Sequence, residues 1–282
     1  MREDMLQLVD LSSWKVKELE IAGITNNRTF GVEIPRFSPT DIWWMPQEYA
    51  IELNLSLQAL GLPTLNLTAP GVNLLPKTST KLTRRHVITI TVSDALRRPH
   101  EGWWKAAEAK IDTFPSSYRT ALELQRDIEK AGLPDSSILQ VSDKQLPIAR
   151  EYRSFVADNK VMTTSIYLET LLDGSTVSVY DGLVANMSEM EQVVAFTANA
   201  IEDMTLPRGL TVDVAVLHDG SMAVLEYNPA WCSGWYECDL EQVEKTIQAS
   251  FNETDPRWAY IPDPYMVQRI SKRRRLPLSP IV

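Results

Sequence analysis

A short segment near the C-terminal end of the sequence has the pattern of a tight hairpin. Residues 211–234 read TVDVAVLHDGSMAVLEYNPAWCSG, and Asp219-Gly220 separates two runs that are rich in apolar residues. This dipeptide between two such runs predicts a hairpin with a two-residue loop. His218 then pairs with Ser221, which fixes the pairing of every residue further along the two strands.

In that register, two carboxylates and one amide lie close together. Asp213 is placed opposite Glu226, and Asn228 shares the face of Glu226 because side chains alternate along a strand. Opposed carboxylates repel each other unless a cation lies between them. Two carboxylates and an amide oxygen suit Mg²⁺, which proteins usually bind together with substrate phosphates. The hairpin therefore predicts a Mg²⁺ and nucleotide site. The alternative is an ordinary amphipathic hairpin whose polar face meets solvent.

The composition limits the classes of protein to which the chain can belong. Its 282 residues are 44% hydrophobic, enough to build one large domain or two. The formal net charge is −9, whereas proteins that bind duplex DNA are usually basic, so nucleic acid is not an expected partner. The first residues lack the apolar core of a signal peptide, and no apolar run is long enough to span a membrane. We therefore expect a cytoplasmic protein with no membrane partner.

The elements that must position the hairpin alternate between helices and strands. Residues 70–85 are polar and rich in turn residues, which predicts a loop, and strands are predicted at His86–Val92 and successively through residues 138–179. Ser188 and Glu191 fit a capping box at the start of one helix. The pattern predicts an α+β fold with largely antiparallel sheets. Helices are predicted over residues 46–60, 118–130, 187–203 and 239–249.

Further candidate residues precede the hairpin. Glu151 and Arg153 share one strand face, where they are either part of a site or a surface ion pair. If the loop at Asp158-Asn159 is tight, Arg153 pairs with Thr164 on the next strand. A lysine after Trp103-Trp104, Lys105, has the position of a strand end, where it is either a phosphate ligand or a solvated side chain.

These motifs in their order resemble a known family. Glu226-Tyr227-Asn228-Pro229 behind the strand of Asp213 resembles the metal-binding end of the ATP-grasp superfamily. The run EYRSFV, beginning at Glu151, is similar to a clade of predicted ATP-grasp ligases named for one arginine and two lysines. By this resemblance the arginine is Arg153 and the lysines are Lys105 and Lys110. The resemblance covers about residues 95–250 and implies two α+β lobes that grip ATP.

The resemblance implies a division of the chain into three parts. Residues 1–95 form a smaller N-terminal lobe on the substrate side, residues 96–250 form the ATP-grasp region, and residues 251–282 form a C-terminal extension with a basic tail. The tail carries Lys272, Arg273, Arg274 and Arg275, which are either solvated or a contact for an anionic substrate or RNA.

The resemblance also implies an activity. ATP-grasp ligases use Mg²⁺ and ATP to join a carboxylate to an amine or another nucleophile through an acyl-phosphate, and they release ADP and phosphate. Phosphoryl transfer depends on positioning and charge neutralisation. In this scheme Lys105 and Lys110 bind phosphates, and Arg153 binds the γ-phosphate or the acyl-phosphate as a bidentate fork. The alternatives are an ATP-grasp kinase that phosphorylates a hydroxyl and a non-catalytic nucleotide-binding module.

The remaining nucleotide contacts are expected at a hinge before Ser142. There the backbone of Gln140 and Val141 would read the adenine edge, while Leu139 and Val141 pack on its faces. Glu151 would bind the ribose hydroxyl groups or pair with Arg153.

Several residues after the metal motif have two interpretations each. Trp231, Trp235 and Tyr236 either line the acceptor pocket or belong to the core. Cys232 and Cys238 are either a reactive pair or buried thiols, and two cysteines make no disulfide framework.

Overall fold

A small parallel sheet begins the fold. The computed structural model describes residues 42–108 and 111–272 in full, together with the backbone of β1 (Leu6–Asp10) and β2 (Asn27–Phe30). The strand β3 (Ile42–Trp44) completes a sheet of order β2-β1-β3 in which both pairings are parallel. Lys110 and the tail residues Arg273 to Arg275 lie outside the described residues.

The helix α1 (Gln47–Ala59) follows this sheet, as the sequence predicts. Its N-terminus is set by Pro46, and its residues Leu53 and Leu57 are fully buried. They pack in one cluster with Trp231 and Val243, which come from the far end of the sequence. The N-terminal region is therefore held by a core that it shares with residues beyond the predicted hairpin.

The prediction of a loop over residues 70–85 is wrong. This segment contains two short helices, α2 (Leu74–Lys77) and α3 (Thr80–Thr83), and Ser79 caps the second by accepting a hydrogen bond from the Lys81 backbone. Leu74 and Leu75 are buried. One helical turn gives too little periodicity to outweigh the flanking proline and glycine residues, and burial stabilises these turns where propensity does not.

An antiparallel sheet of order β4-β7-β5-β6 forms the next layer. Trp104 and Leu139 lie on the face that packs against two helices, in a cluster with Leu124 and Ile128. Side chains alternate, so the opposite face carries the intervening residues, Lys105 and Gln140 among them. The elements are β4 (Val87–Thr91), α4 (Val92–Arg97), β5 (Gly102–Ala106), β6 (Ser117–Arg119), α5 (Ala121–Ala131) and β7 (Ile138–Ser142).

Helix α5 begins three residues later than predicted. Tyr118 belongs to β6, and Thr120 ends the extended segment by capping the helix in a capping box with Glu123.

The predicted division at residue 95 falls inside α4, and β4 before it pairs with β7. The first part of this lobe therefore precedes the predicted boundary.

The third sheet is antiparallel, with the order β10-β9-β8-β11-β12. On one face Val212 and Val214 pack in a cluster with Val193 of helix α6, and on the other Phe155 packs with Val243 of helix α7. The elements are β8 (Ile148–Ala157), β9 (Lys160–Thr170), β10 (Thr176–Ser178), α6 (Met187–Ile201), β11 (Gly209–Leu217), β12 (Met222–Pro229) and α7 (Leu240–Phe251). The C-terminal helix α8 (Pro264–Ser271) packs on α1. The predicted α+β class with largely antiparallel sheets is confirmed.

The prediction that Ser188 and Glu191 form a capping box at the start of α6 is wrong. Asn186 caps this helix by accepting a hydrogen bond from the Glu189 backbone, two residues before the predicted cap at Ser188. The Glu189 carboxylate is bound by Arg150 and by the Tyr152 hydroxyl of β8, so a tertiary contact fixes where the helix begins.

The predicted pairing of Asp213 with Glu226 in the hairpin is confirmed. Asp213 is paired with Glu226, although the loop has three residues because the Leu217 N–H donates to the Ser221 carbonyl (2.8 Å). A bulge between Asp213 and Val214 restores the register.

The register of the preceding hairpin differs by one residue from the prediction. The tight turn at Asp158-Asn159 is present, with both residues at positive φ, but Arg153 pairs with Ser165 because the ladder is irregular beyond Phe155. A bulge of this kind leaves no clear mark in the sequence.

Candidate functional site

A buried ion pair forms the centre of the site. Asp213 on β11 is paired with Arg153 on β8, and the guanidinium donates two hydrogen bonds to the carboxylate, from Nε at 2.8 Å and from Nη2 at 2.7 Å. Burial raises the pKa of Asp213 to about 6, and Arg153 opposes this rise. At neutral pH the aspartate is therefore ionised and paired.

Glu226 and Asn228 on β12 complete the polar face. The Asn228 amide nitrogen donates to Glu226 Oε1 (3.0 Å) and to Asp213 Oδ2 (3.3 Å). The Lys105 ammonium, which comes from β5 of the other sheet, forms a salt bridge with Glu226. This ammonium group holds the pKa of Glu226 well below its usual range. The site therefore bridges the two antiparallel sheets.

The three predicted ligand residues fit a divalent metal ion. Asp213, Glu226 and Asn228 converge within hydrogen-bonding distance, and rotation of the Asn228 amide presents a third oxygen. Hard oxygen donors of this kind are those that Mg²⁺ prefers. Among the described residues, no group of three or more histidine, cysteine or acidic side chains is arranged as a metal site. The candidate metal site is therefore the predicted set of two carboxylates and an amide, Asp213, Glu226 and Asn228.

Glu151 lies on the same face as Arg153 and is held by an aromatic residue. Its carboxylate accepts a hydrogen bond from the Tyr167 hydroxyl of β9, and burial raises the pKa of Glu151. The Tyr167 ring stacks on Tyr236 with 4.8 Å between centroids, and both rings lie near the Arg153 guanidinium, at 5.6 and 5.3 Å. Tyr236 therefore belongs to the site, and it is held at a φ of +55°.

The side chains of the residues predicted for the adenine hinge lie on opposite faces of the sheet. The Gln140 side chain lines a cavity together with Lys105 and Glu226. Val141 and Leu139 instead face the core beneath α5, and the backbone of β7 is paired on both sides with β4 and β5. The expectation that Val141 packs on a base does not fit this position. Lys110 lies outside the described residues, so its place in the site stays a prediction.

The cavity that contains Lys105, here called the site cavity, has walls that the sequence analysis missed. The site cavity is lined by Glu226 and Asn228, and also by Gln47 of α1, the loop 69–72, Glu108 and Tyr260. Gln47, the loop, Glu108 and Tyr260 come from four separate stretches of the chain, and no motif marked them.

Arg85 is a further residue that the sequence analysis missed. It is buried, its Nη2 donates to the Leu225 carbonyl (3.0 Å), and burial lowers its pKa against the opposing charges of Glu226 and Asp143. Arginine is rarely buried without a paired charge, and the charges of Glu226 and Asp143 supply it here. The only signal in the sequence is an arginine pair, Arg84-Arg85, immediately before a predicted strand.

The tryptophans and cysteines after the metal motif are part of the core. Trp231 and Trp235 are buried among the side chains of α1 and α7. Cys232 and Cys238 are free thiols, and burial raises the pKa of each to about 12. They are therefore poor nucleophiles, and the interpretation of a reactive pair finds no support.

Comparison with known families identifies the fold. The profile of the ATP-grasp domain, R2K clade family 2, matches residues 82–246, which is more than half of the chain. The chain belongs to this family, as the resemblance of its motifs implied. The matched segment contains both antiparallel sheets and every described residue of the predicted site.

Solved structures with a similar arrangement are ATP-grasp proteins and ligases. The D-alanine–D-alanine ligase of Bacillus anthracis aligns with a TM-score of 0.46 and 11% identity over 89% of this chain and 99% of that one. The D-alanyl-alanine synthetase A of Vibrio cholerae aligns with a TM-score of 0.47 and 12% identity, over 90% and 99% of the two chains. An ATP-grasp RimK domain protein of Sphaerobacter thermophilus aligns with a TM-score of 0.47 and 13% identity, over 88% and 97%. No curated protein sequence matches this chain.

The described helices are unsuited to spanning a membrane. None of them combines the length and the apolar character that crossing a bilayer requires.

Proposed function

We propose that this protein is a Mg²⁺- and ATP-dependent ligase that joins a carboxylate to an amine through an acyl-phosphate and releases ADP and phosphate. One observation carries the proposal. Lys105 of the four-stranded sheet meets Glu226 of the five-stranded sheet, on the face that also holds Asn228, Asp213 and Arg153. A pair of cations beside a set of oxygen ligands, between two lobes, is what binding and transfer of a terminal phosphoryl group require.

The cations are proposed to bind the phosphates. Lys105 supplies a point charge on a flexible stem, and Arg153 supplies a planar guanidinium whose Nη1 makes a long contact with the Gly234 carbonyl (3.4 Å) while its Nε and Nη2 bind Asp213. Lys110 joins them by the family resemblance. Mg²⁺ held by Asp213, Glu226 and Asn228 would neutralise charge on the phosphates when bound. Because Lys105 lies on Glu226 in this structure, binding of metal and nucleotide requires it to leave the carboxylate for a phosphate oxygen.

The nucleoside end is proposed to lie toward the connection between β7 and β8. Residues 143–147 make this connection, and its backbone is not part of either ladder. Leu146 and Ile148 pack there with Leu225, and together they offer an apolar surface for a base. Gln140, which lines the site cavity, and Glu151, which shares the strand face of Arg153, are proposed to bind the ribose. The hinge in this proposal follows Ser142, whereas the sequence analysis placed it before that residue.

Binding of a non-hydrolysable ATP analogue tests the first half of the proposal. Calorimetry with and without Mg²⁺ is expected to show metal-dependent affinity in the wild type and its loss in Glu226→Gln. The matched control is Glu129→Gln, which alters an exposed glutamate of α5 and is expected to leave binding unchanged. Equal affinity with and without Mg²⁺ would favour a non-catalytic nucleotide-binding module.

Product analysis tests the second half. With ATP, Mg²⁺, hydroxylamine and a panel of carboxylic acids, the enzyme is expected to form a hydroxamate and to release ADP with phosphate. Formation of AMP would replace the acyl-phosphate by an adenylate. A phosphorylated hydroxyl compound, with no hydroxamate, would identify a kinase.

A further inference from the structure

A second cavity adjoins the site cavity. It is enclosed by the loop 69–74, by residues 257–264 and by Met204 with Thr205. Residues 69–72 and Glu108 belong to the walls of both cavities. The two spaces therefore meet at Glu108, and a molecule in the second cavity lies across this residue from Lys105 and Glu226.

The position of Glu108 is fixed by contacts from distant parts of the chain. The Gln47 side-chain amide donates to the Glu108 carbonyl (2.9 Å) and to the Tyr260 hydroxyl (2.9 Å). The adjacent Ala107 N–H donates to the Ile138 carbonyl (3.0 Å), which extends the strand β5. These contacts join α1, the C-terminal segment and the four-stranded sheet at the boundary between the cavities. Glu108 is thus held by a framework that lies partly outside the family-matched segment.

The carboxyl group of Glu108 is suited to exchange a proton near neutral pH. Burial raises its pKa to about 7, and the nearby charge of Asp263 contributes to the rise. The other titratable side chains that line the site cavity are Lys105, Glu226, Tyr227 and Tyr260. Those that line the second cavity are Lys77, Arg257 and Asp263. A base is most effective when its pKa lies near the working pH.

The proposed reaction needs a base in this place. A primary amine is an ammonium ion at neutral pH and must lose a proton before it can attack an acyl-phosphate. Among the described residues, the carboxyl side chains that line the two cavities are those of Glu226, Glu108 and Asp263. Both oxygens of Asp263 already accept hydrogen bonds, from the Ser137 hydroxyl and from the Ile138 and Tyr265 N–H groups. Glu226 is a proposed metal ligand, which leaves Glu108.

We propose that the second cavity receives the amine-bearing acceptor and that Glu108 binds its ammonium group and takes its proton. The inference rests on the proposed ligase function. The ammonium gives one proton to Glu108, and the freed electron pair forms a C–N bond to the acyl carbon. The C–O bond to the phosphate breaks with its electrons going to phosphate, which also takes the second nitrogen proton. Met204, Trp258 and Ile261 give the second cavity an apolar part beside the charged Lys77, Arg257 and Asp263, so the acceptor is a primary amine that carries an apolar group.

Ligand-observed NMR tests this site without knowledge of the natural substrate. The probes are n-butylamine and its neutral isostere n-butanol, added to the full chain with Mg²⁺ and a non-hydrolysable ATP analogue. The wild type is expected to prefer the amine, and Glu108→Gln is expected to lose about tenfold or more in amine affinity, the scale of a hydrogen bond to a charged group. Glu108→Asp, which keeps the charge, is expected to retain the preference for the amine. Glu129→Gln is the control and is expected to behave as the wild type.

Two results would overturn the inference. One is equal binding of the amine and the alcohol by the wild type, and the other is unchanged amine binding in Glu108→Gln. Affinity for the ATP analogue serves as the measure of correct folding, since Glu108 is not part of the proposed phosphate site. Failure of the ligase proposal is detected separately by the hydroxamate assay.

Discussion

The two ion pairs of the candidate site lie in different surroundings. Arg153 and Asp213 are neighbours in one sheet, and their side chains are only 11% and 1% exposed. Lys105 and Glu226 come from two different sheets, and their side chains are 21% and 33% exposed. The first pair is fixed by strand register inside a single sheet, whereas the second depends on how the two sheets are placed.

The comparison distinguishes an ion pair that stabilises the fold, Arg153 with Asp213, from an ion pair whose lysine can exchange its partner, Lys105 with Glu226. Removing one member of a buried ion pair leaves an uncompensated charge in a medium that solvates it poorly. A partly exposed pair separates more easily than a buried one, because water reaches both members when they part. Lys105 can therefore exchange Glu226 for a phosphate when Mg²⁺ takes its place on the carboxylate, while Asp213 stays bound to Arg153 until a metal ion competes for it.

The largest expected effect comes from breaking the buried pair. Asp213→Asn keeps the shape of the side chain and leaves the Arg153 charge buried without its counter-ion. We expect the free energy of unfolding to fall by about 3–5 kcal/mol in urea denaturation. Replacing both residues, in Arg153→Met with Asp213→Leu, is expected to recover much of this loss because no charge then remains buried.

The matched control uses an exposed pair. Asp158→Asn removes the partner of Arg208, and these side chains are 56% and 47% exposed. Its cost is expected to stay below about 1 kcal/mol. Equal losses for Asp213→Asn and Asp158→Asn would contradict the structural role given to the buried pair.

The next effect concerns the pair between the sheets. Lys105→Met retains the apolar stem and removes the charge, so we expect at least about tenfold weaker binding of the ATP analogue, or about 1.4 kcal/mol. The free energy of unfolding is expected to fall by less than in Asp213→Asn, because water reaches both members of this pair. Lys130→Met, on the exposed face of α5, is the control for loss of a lysine. A large loss of stability with unchanged nucleotide affinity would reverse the comparison.

The pH dependence distinguishes the two carboxylates. The pKa of Asp213 is raised to about 6, whereas that of Glu226 lies well below its usual range, so only Asp213 takes up a proton between about pH 7 and pH 5. Since a metal ligand must be deprotonated, Mg²⁺-dependent binding of the ATP analogue is expected to weaken by about tenfold from pH 7.5 to pH 5. Calorimetry at several pH values, with a metal-free series to subtract protonation of the nucleotide, measures this. Metal binding that is independent of pH in this window would show that Asp213 is not a ligand.

The smallest expected effect lies behind the sheet that carries Lys105. Thr120→Ala removes the N-terminal cap of α5, where Thr120 accepts the Glu123 N–H and Glu123 accepts the Thr120 N–H. We expect a loss of about 1 kcal/mol in the free energy of unfolding. Nucleotide affinity is expected to remain at the wild-type value, because the helix packs on the opposite face from Lys105. A loss of affinity would mean that the placement of Lys105 depends on this helix.

The metal end of the site could be predicted from local pattern because its residues are close in sequence. Asp213, Glu226 and Asn228 belong to one hairpin, whose turn dipeptide and alternating apolar residues fix which side chains share a face. Arg153 was found by its spacing from Glu151 and by the family resemblance. Its partner strand was placed correctly, and only the register was wrong, by one residue.

The remaining walls could not be predicted, since their residues meet only through packing of distant segments. Gln47, Glu108 and Tyr260 are joined by side-chain hydrogen bonds across more than 60 positions in the sequence. Arg85 lies in a segment whose helices are too short to leave a periodic pattern. Neither hydrophobic period nor turn chemistry carries information about such contacts.

The sequence by itself determined the antiparallel hairpin, its acidic face and the family to which the chain belongs, because strand period and turn type are local properties of the backbone. Only the tertiary structure decided that Arg153 neutralises Asp213, that Lys105 reaches Glu226 from another sheet, and that Glu108 lies between two cavities. Charges and hydrogen-bond donors choose partners by distance in space, and burial of the apolar faces of separate sheets and helices sets those distances.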